Sequence, residues 1–255
     1  MTPSVSLAIA GLFGLVVGSF LNVCIYRLPR HESLMTPPSH CPGCGRAIRW
    51  FENIPVLSFV WLRGRCGTCG VRISRLYPLV ELTTAVTCVA AYDLFGPGWL
   101  LASRVVFACA MIVLLVIDLQ HRILPNTITL PGTAVGLLFS LVAPPGWRSA
   151  SIGIAAGGGV LWVISELYFR IRGEEGMGMG DVKMLAMIGA FLGWQLVLVT
   201  LVLSSLIGSL VGVVMIAMDR RNLKYALPFG SFLAVSALAA SVVGDSLLAW
   251  YVSYY

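Results

Sequence analysis

The sequence has little charge for its length. Of its 255 residues only 11% are Asp, Glu, Lys or Arg, whereas soluble globular proteins have about 25%. Hydrophobic residues make up 58% of the chain, which leaves too little polar surface to solvate a compact particle. This composition excludes a soluble enzyme and a disordered tail, and it predicts a multi-pass membrane protein.

Two further absences narrow the class of protein. With three histidines and no His-Glu-x-x-His pair, the chain cannot build the open catalytic zinc of that metalloprotease type. The first apolar run, residues 5–26, has no basic residue before it, which is unlike a secretory signal peptide. We therefore expect this run to remain as the first transmembrane helix.

Eight apolar runs are candidates for membrane crossing, and a crossing needs about 20 apolar residues. Seven runs are near that length: residues 5–26, 78–95, 99–118, 126–143, 150–169, 195–218 and 228–251. Residues 182–194 would make only about 20 Å of helix, but basic residues flank 182–218 on both sides, so an even number of crossings is expected. We predict a tight hairpin turning near Gly193 and an all-α polytopic protein of about eight transmembrane helices. A re-entrant half-helix at 182–194 is the alternative.

The positive charges lie almost entirely on one side of this topology. Fifteen of the 17 lysines and arginines fall on the side that carries the loop from 27 to 77. Because Lys and Arg are enriched in cytoplasmic loops, this side is predicted to face the cytoplasm and both termini to face outward. Topology in a lipid bilayer thus accounts for the net charge of +6 without nucleic acid.

Four of the seven cysteines have the spacing of a metal site. Cys41 and Cys44 form one C-x-x-C pair, and Cys66 and Cys69 form a second after 21 intervening residues. Two such turns can converge on one tetrahedral ion, so we predict a structural zinc with these four ligands. Two disulfides, or an unmetallated or redox role, are the alternatives, and cytoplasmic placement argues against disulfides.

Acidic residues at membrane depth are the candidates for chemistry, because a charge there is costly. Glu166 lies four residues before Arg170, and an ion pair within one helix would account for it. Asp118 and Asp181 each lie at the predicted cytoplasmic end of a span. Two adjacent carboxyl groups share a proton, so one can activate water while the other protonates the leaving group, as in aspartic proteases. The alternatives are an Asp118–Arg122 pair, Asp181 as a helix N-cap, or ion transport.

The helix ends suggest where the shared proton would lie. Asp181 opens a predicted helix, whose N-terminus favours negative charge, whereas Asp118 closes one, whose C-terminus disfavours it. The hypothesis from sequence is that Asp181 is the base and Asp118 carries the proton, although Arg122 opposes it. Three alternating glycines precede Asp181 and allow a substrate strand to come close: Gly176, Gly178 and Gly180.

Several segments together resemble the type IV prepilin peptidases, bacterial members of the GxGD class of intramembrane aspartyl proteases. The similar segments are residues 18–29 (GSFLNVCIYRLP), 75–82 (RLYPLVEL), 117–126 (IDLQHRILPN) and 178–183 (GMGDVK). The paired cysteines also follow where that family has them. The resemblance implies that Asp118 and Asp181 are the catalytic residues.

This resemblance also implies a reaction and its partners. Family members remove the basic leader of type IV prepilins or type II secretion pseudopilins after a glycine, at the cytoplasmic face of the inner membrane. Many then methylate the new N-terminal residue from S-adenosylmethionine, and the cysteine-bearing loop accompanies the methylating members. A proton- or ion-coupled transporter is the main rival, but it would be expected to show inverted repeats, and no convincing internal repeat is present. A non-catalytic zinc-knuckle adaptor would leave the two aspartates unexplained.

The binding residues for the methyl donor and the leader are less evident. No glycine-rich fingerprint of the usual soluble methyltransferases is present. Asn22, Arg30 and Glu81, near the junction of the first loop and the membrane, are candidates for the methyl-donor site. Glu174 and Glu175 could attract a basic leader through their charge, and a simple solvated loop is the alternative.

One departure from the family pattern lies before the last span. Family members often have Pro-Phe-Gly-Pro there, and this chain has Pro-Phe-Gly-Ser at 228–231. We expect the change to affect the rigidity of the turn and to touch neither aspartate. By function, we divide the chain into a first transmembrane helix over 1–26, a cytoplasmic four-cysteine loop over 27–77 and a transmembrane aspartyl peptidase domain over 78–255.

Overall fold

The computed structural model describes residues 3–173, 178–218 and 228–254. These ranges contain α-helices, two short 3-10 turns at Leu28–Arg30 and Trp50–Asn53, and no β-strand. The helices are α1 (Pro3–Arg27), α2 (Leu57–Trp61), α3 (Leu76–Phe95), α4 (Trp99–His121), α5 (Asn126–Phe139), α6 (Trp147–Arg172), α7 (Met179–Met218) and α8 (Phe229–Val252). Within the described ranges, all but α2 and α5 are long and apolar enough to cross a membrane, so the prediction of an all-α polytopic protein is confirmed.

The chain forms two compact units, Met1–Leu101 and Ala102–Tyr255. In the first unit α1 packs against α3, and two glycines spaced four residues apart on α1 allow the close approach. A Cβ on Gly14 would lie 2.6 Å from the Ala85 Cα, and one on Gly18 would lie 2.7 Å from the Glu81 Cα. Small residues at this spacing are typical of helix packing in membranes, where backbones approach closely.

The segment between α1 and α3 has no hydrophobic core of its own. Among residues 28–79, all of which the structure describes, only Cys41 is buried. A segment of this size with so little buried apolar area needs another source of stability, such as a disulfide or a metal ion.

In the second unit α7 is two helices joined by a turn, which confirms the predicted hairpin. Gly193 has φ 82° and ψ 175°, a conformation that is essentially restricted to glycine. The Leu185 carbonyl oxygen and the Val197 Cγ2 lie 2.6 and 3.0 Å from the position that a Cβ on Gly157 would occupy. Residues 185 and 197 would be about 18 Å apart in one continuous helix, so the chain folds back between them.

The core of the second unit lies between α4, α8 and the first half of α7. Phe107, Met111 and Phe191 are fully or almost fully buried there, and the rings of Phe107 and Phe191 are 5.3 Å apart. Arg104, buried on α4, donates from its guanidinium to the carbonyl of Phe191 at 3.5 Å. This cation lies at the C-terminal end of the first half of α7, where the helix dipole favours positive charge.

The C-terminal ends of α4 and α5 differ by three and four residues from the boundaries expected from sequence. α4 ends at His121, so Asp118 lies inside the last turn of the helix and is not its last residue. The next residue, Arg122, has a φ of +55° and cannot continue the helix. α5 ends at Phe139, four residues early, ahead of Pro144 and Pro145. Proline disfavours helical geometry in the residue before it and cannot continue the hydrogen-bond ladder.

Candidate functional site

Asp118 is buried in the last turn of α4 and is held by the start of α8. Its Oδ2 accepts a hydrogen bond from the Ser231 backbone N–H at 2.6 Å and another from the Ser231 hydroxyl at 2.7 Å. Ser231 is the third residue of α8, and the first N–H groups of a helix have no partner within it. The Asp118 carboxylate therefore caps the N-terminal turn of α8.

Asp181 is half-buried at the start of α7. It is the third residue of that helix, and its backbone N–H donates to the Gly178 carbonyl at 3.1 Å. This position lies inside the first turn, so the interpretation of Asp181 as an N-cap was wrong. Asp181 lies close enough to Asp118 for their charges to influence one another, and two such carboxyl groups share a proton more readily than both ionise.

Leu124 marks the place where three segments of this site meet. A Cβ on Gly180 would lie 3.0 Å from the Leu124 Cβ, and one on Gly230 would lie 2.9 Å from its Cδ1. The Gly230 Cβ position is also 3.1 Å from the Asp118 Oδ2. The starts of α7 and α8 thus approach the connection after α4 so closely that side chains at these two glycines would crowd the site.

The contacts of Ser231 correct one expectation and weaken another. The serine at the end of Pro-Phe-Gly-Ser was expected to touch neither aspartate, and it binds Asp118 directly. Two donors on one carboxylate oxygen favour its charged form, which opposes the hypothesis that Asp118 carries the shared proton. Sequence reasoning missed this residue, although the change from the family's proline was a visible signal.

Basic residues of the second unit gather at the end that holds both aspartates. Lys183 on α7 donates to the Asn126 side chain at 2.9 Å. Arg170 pairs with Glu166 at 2.8 Å, so the ion pair expected within that helix is confirmed. Several other predicted charges, and one of the glycines before Asp181, lie outside the described residues: Glu174, Glu175, Gly176, Arg220, Arg221 and Lys224.

The four predicted metal ligands converge in the first unit. The Sγ atoms of Cys41, Cys44, Cys66 and Cys69 all lie within 4.8 Å of one another, and those of Cys41 and Cys69 are 3.7 Å apart. A zinc ion with four Zn–S bonds of about 2.3 Å places its sulfurs about 3.8 Å apart. The cluster can therefore hold a metal ion with little contraction.

The two cysteine turns have the same backbone pattern. The N–H of Gly45 donates to the Cys41 carbonyl, and the N–H of Gly70 donates to the Cys66 carbonyl, both at 2.9 Å. A bridge between His40 and Ala47 closes the first turn, and one between Arg65 and Arg72 closes the second. Each contact recurs 25 residues later, so the two knuckles approach the metal position with equivalent geometry.

The sulfurs are electrostatically unequal without a metal. Backbone N–H groups of Cys69 and Thr68 lower the pKa of Cys66 to about 6. The N–H of Val71 lowers the pKa of Cys69, but desolvation and the neighbouring cysteine sulfurs raise it to about 11. One thiolate thus exists near neutral pH, and it is the form that binds metals.

An ion pair braces the loop beside this cluster. One guanidinium nitrogen of Arg46 lies 2.8 Å from both carboxylate oxygens of Glu52, and the Arg49 backbone N–H donates to Glu52 at 3.0 Å. These contacts lower the pKa of Glu52, and the side-chain hydrogen bond from Arg46 has the largest effect.

A cavity of about 380 Å³ lies within the first unit, between the loop, α1 and α3. Its size is that of a small-molecule site. The polar and aromatic residues that line it include Asn22, Tyr26, Arg46, Phe59, Tyr77 and Glu81.

Two of the three predicted methyl-donor residues line this cavity. The Glu81 carboxylate is buried and accepts from the Val56 backbone N–H at 2.8 Å. Asn22 also donates to the Tyr77 carbonyl at 3.1 Å. Arg30 is not among the lining residues; its guanidinium stacks 4.0 Å from the centre of the Tyr26 ring.

Comparisons with known proteins cover nearly the whole chain. A model of the bacterial peptidase A24 N-terminal domain matches residues 12–95, and a model of the type IV leader peptidase family matches residues 105–213. The prepilin leader peptidase/N-methyltransferase of Aeromonas hydrophila is 40% identical over 278 residues, which covers 98% of this chain and 95% of the relative. The protein of the same name from Pseudomonas putida is 37% identical over 274 residues, with 98% and 94% covered. No solved structure matches the chain.

Proposed function

This chain belongs to the type IV leader peptidase family, and from that premise we propose that it cleaves prepilin or pseudopilin leaders after glycine with Asp118 and Asp181 as its catalytic pair. The observation that carries the proposal is the convergence of the segments that bear these carboxyl groups: the glycines at the starts of α7 and α8 both approach Leu124, and Gly230 also approaches the Asp118 Oδ2. Membership of a peptidase family favours this function over the transporter considered from sequence.

The pair would act with one proton between two carboxyl groups. The ionised carboxylate takes a proton from water while the water oxygen bonds to the scissile carbonyl carbon. The protonated carboxyl gives its proton to the carbonyl oxygen, which forms a tetrahedral diol. When the C–N bond breaks, the leaving nitrogen takes the proton that was first removed from water. A hydroxyl of the diol gives its proton to the carboxyl group that was protonated at the start.

The reaction is proposed to take place at the cytoplasmic face of the inner membrane. In support, Arg122, Arg170, Arg172 and Lys183 lie at the same end of the second unit as the two aspartates. Lys and Arg mark the cytoplasmic side of membrane proteins. A basic leader approaching from this side would place its cleavage site at the membrane surface.

The cysteine cluster is proposed to bind a structural zinc. Four sulfur donors leave no open coordination position, so the ion would hold the loop together and would not activate water. The absence of a hydrophobic core in residues 28–79 supports this role.

Methylation of the new N-terminus is proposed to use the cavity of the first unit. S-adenosylmethionine, which supplies a methyl group from a cationic sulfonium, fits the residues present. The buried Glu81 carboxylate complements a positive charge, and Arg46 Nε, buried without a hydrogen-bond partner in the described part of the chain, can donate to a carboxylate. Tyr26 and Phe59 offer apolar faces for an adenine ring. Glu81 can also accept a proton from the N-terminal ammonium that is to be methylated.

One assay tests both activities. A prepilin-like peptide is incubated with purified protein in lipid, and cleavage and methyl transfer are followed separately. Asp118→Asn and Asp181→Asn should each lower cleavage by about 10² to 10⁴-fold, the usual share of an acid or base. Asp93→Asn, an exposed carboxylate near the end of α3, is the matched control. Cleavage near the wild-type rate in either catalytic variant contradicts the dyad.

The same assay separates the methyl-donor site from the peptidase site. Glu81→Gln should lower methylation of a peptide supplied already cleaved, and should weaken binding of S-adenosylhomocysteine measured by calorimetry. Leader cleavage by this variant should stay near the wild-type rate. Unchanged binding and methylation would remove Glu81 from the site.

A further inference from the structure

Ser231 makes two contacts that the proposed peptidase mechanism does not require. Its N–H and its hydroxyl donate to the same oxygen, Asp118 Oδ2, at 2.6 and 2.7 Å. Each of these two residues is only 5% exposed. Water therefore has little access to replace either donor if it is removed.

The identity of residue 231 decides whether these donors exist. A proline at this position, as the family often has, would have no N–H and no hydroxyl. Proline would still fit the helix, because the N–H groups of the first turn lack partners within it. The Ser231 N–H also faces the Pro228 carbonyl at 3.2 Å, so its bond to Asp118 is additional to a local turn.

We propose that Ser231 is a positioning residue that keeps Asp118 ionised as the water-activating base and leaves the shared proton on Asp181. The proposal rests on the proposed peptidase function of the two aspartates. Hydrogen bonds to a carboxylate favour its charged form, and the N-terminus of α8 adds a favourable dipole. Within the described part of the chain, the charged groups acting on Asp118 are Arg122, after α4, and Asp181, on α7. Arg122 favours the same state, and Asp181 can carry the proton.

The roles of the two carboxyl groups in the reaction follow from this assignment. Asp118 takes a proton from water as the water oxygen bonds to the scissile carbonyl carbon, and Asp181 gives its proton to the carbonyl oxygen. As the C–N bond breaks, Asp118 gives its proton to the departing nitrogen and is ionised again. The diol hydroxyl returns a proton to Asp181, so the cycle ends as it began.

The test is the pH dependence of leader cleavage in variants of residue 231. Ser231→Ala loses the hydroxyl, and the acid limb of kcat/KM should move by about one pH unit toward neutrality, a tenfold loss on that limb. Ser231→Pro loses both donors and should move the limb further, while Ser231→Thr, which keeps both, should restore the wild-type profile. Ser236→Ala is the matched control, since Ser236 is a buried serine of the same helix whose hydroxyl has no hydrogen-bond partner in the described ranges. Its profile should match the wild type.

The outcomes separate this inference from the proposed function. If Asp118→Asn and Asp181→Asn are inactive but Ser231→Ala and Ser231→Pro keep the wild-type acid limb, the positioning role is wrong and the dyad stands. If either Asn variant cleaves normally, the proposed function fails as well. Equal loss of rate at every pH in Ser231→Ala, with a lowered melting temperature, would show a structural role and overturn the inference.

Discussion

Replacing Cys44 by serine tests whether a metal ion holds the loop between α1 and α3. Cys44 is an exposed member of the cluster, so its substitution disturbs little packing. The four sulfurs already lie within 4.8 Å of one another, so little binding energy is spent on bringing them together. A structural zinc site of this kind contributes about 10–16 kcal/mol, which is as large as the total stability of about 5–15 kcal/mol of a typical domain. Because only Cys41 is buried among residues 28–79, hydrophobic burial in this segment cannot replace that contribution.

The expected result is a loss of metal together with a selective loss of one activity. Elemental analysis should find about one zinc per wild-type chain and far less in Cys44→Ser. Hydrogen exchange should become fast across residues 28–75 in the variant. Methyl transfer should fall at least tenfold, because the cavity wall includes Cys41, Arg46 and Cys66. Cleavage should change much less, because Asp118 and Asp181 belong to the second compact unit.

Cys88→Ala is the matched control for this experiment, because Cys88 is a buried cysteine of α3 outside the cluster. It should keep the zinc content and both activities. The reasoning is refuted if Cys44→Ser retains one zinc per chain, if the wild-type protein contains none, or if cleavage falls as far as methylation.

Two further predictions concern the hairpin of α7 and the ion pair of the loop. Gly193→Ala should destabilise the protein by about 1–3 kcal/mol, which is the cost of holding a side chain at this backbone conformation. Gly159→Ala is the control and should not destabilise the protein, because its new Cβ would meet no neighbour. Thermal unfolding in detergent compares the two variants, and equal melting temperatures would contradict the turn at Gly193. Arg46 lowers the pKa of Glu52, so the pair stabilises the folded loop fully above the ordinary value of 4.5, and that stability is lost as the pH falls through the lower folded pKa. The hydrogen-exchange protection factors of residues 46–56 should therefore fall on acidification more in the wild type than in Glu52→Gln, and parallel pH curves would argue against the ion pair.

The hairpin shows how far the sequence alone could lead. The short run at 182–194, the basic residues on both sides and a glycine at the end of the run were enough to predict two helices and the turn at Gly193. The positions of basic residues and the length of an apolar run are properties of a short stretch of sequence. The lipid bilayer requires a matching helix length and orientation however the helices pack against one another. The ends of α4 and α5 were predicted less accurately, because the extent of an apolar run does not mark the last turn of a helix.

The cysteine cluster was predictable for a similar reason. Two C-x-x-C turns of this spacing commonly bind one metal ion together, so the sequence allowed Cys41, Cys44, Cys66 and Cys69 to be named as one group. The cavity beside them was not predictable in the same way. Asn22 and Glu81 come from helices far apart in the chain, and only their packing showed that both line it while Arg30 does not.

By itself, then, the sequence determined the membrane class, most of the helices, the four-cysteine cluster and the two aspartates near the ends of their helices, because each depends on composition or spacing within a short stretch. The state of Asp118 was a different matter. Judged along its own helix, it sits at a C-terminal end that disfavours charge. The tertiary structure brings the N-terminus of α8 and two donors of Ser231 to its Oδ2 from 113 residues away, and these contacts favour the ionised form. A local dipole can be read from sequence order, whereas a partner that opposes it is set only when distant helices pack.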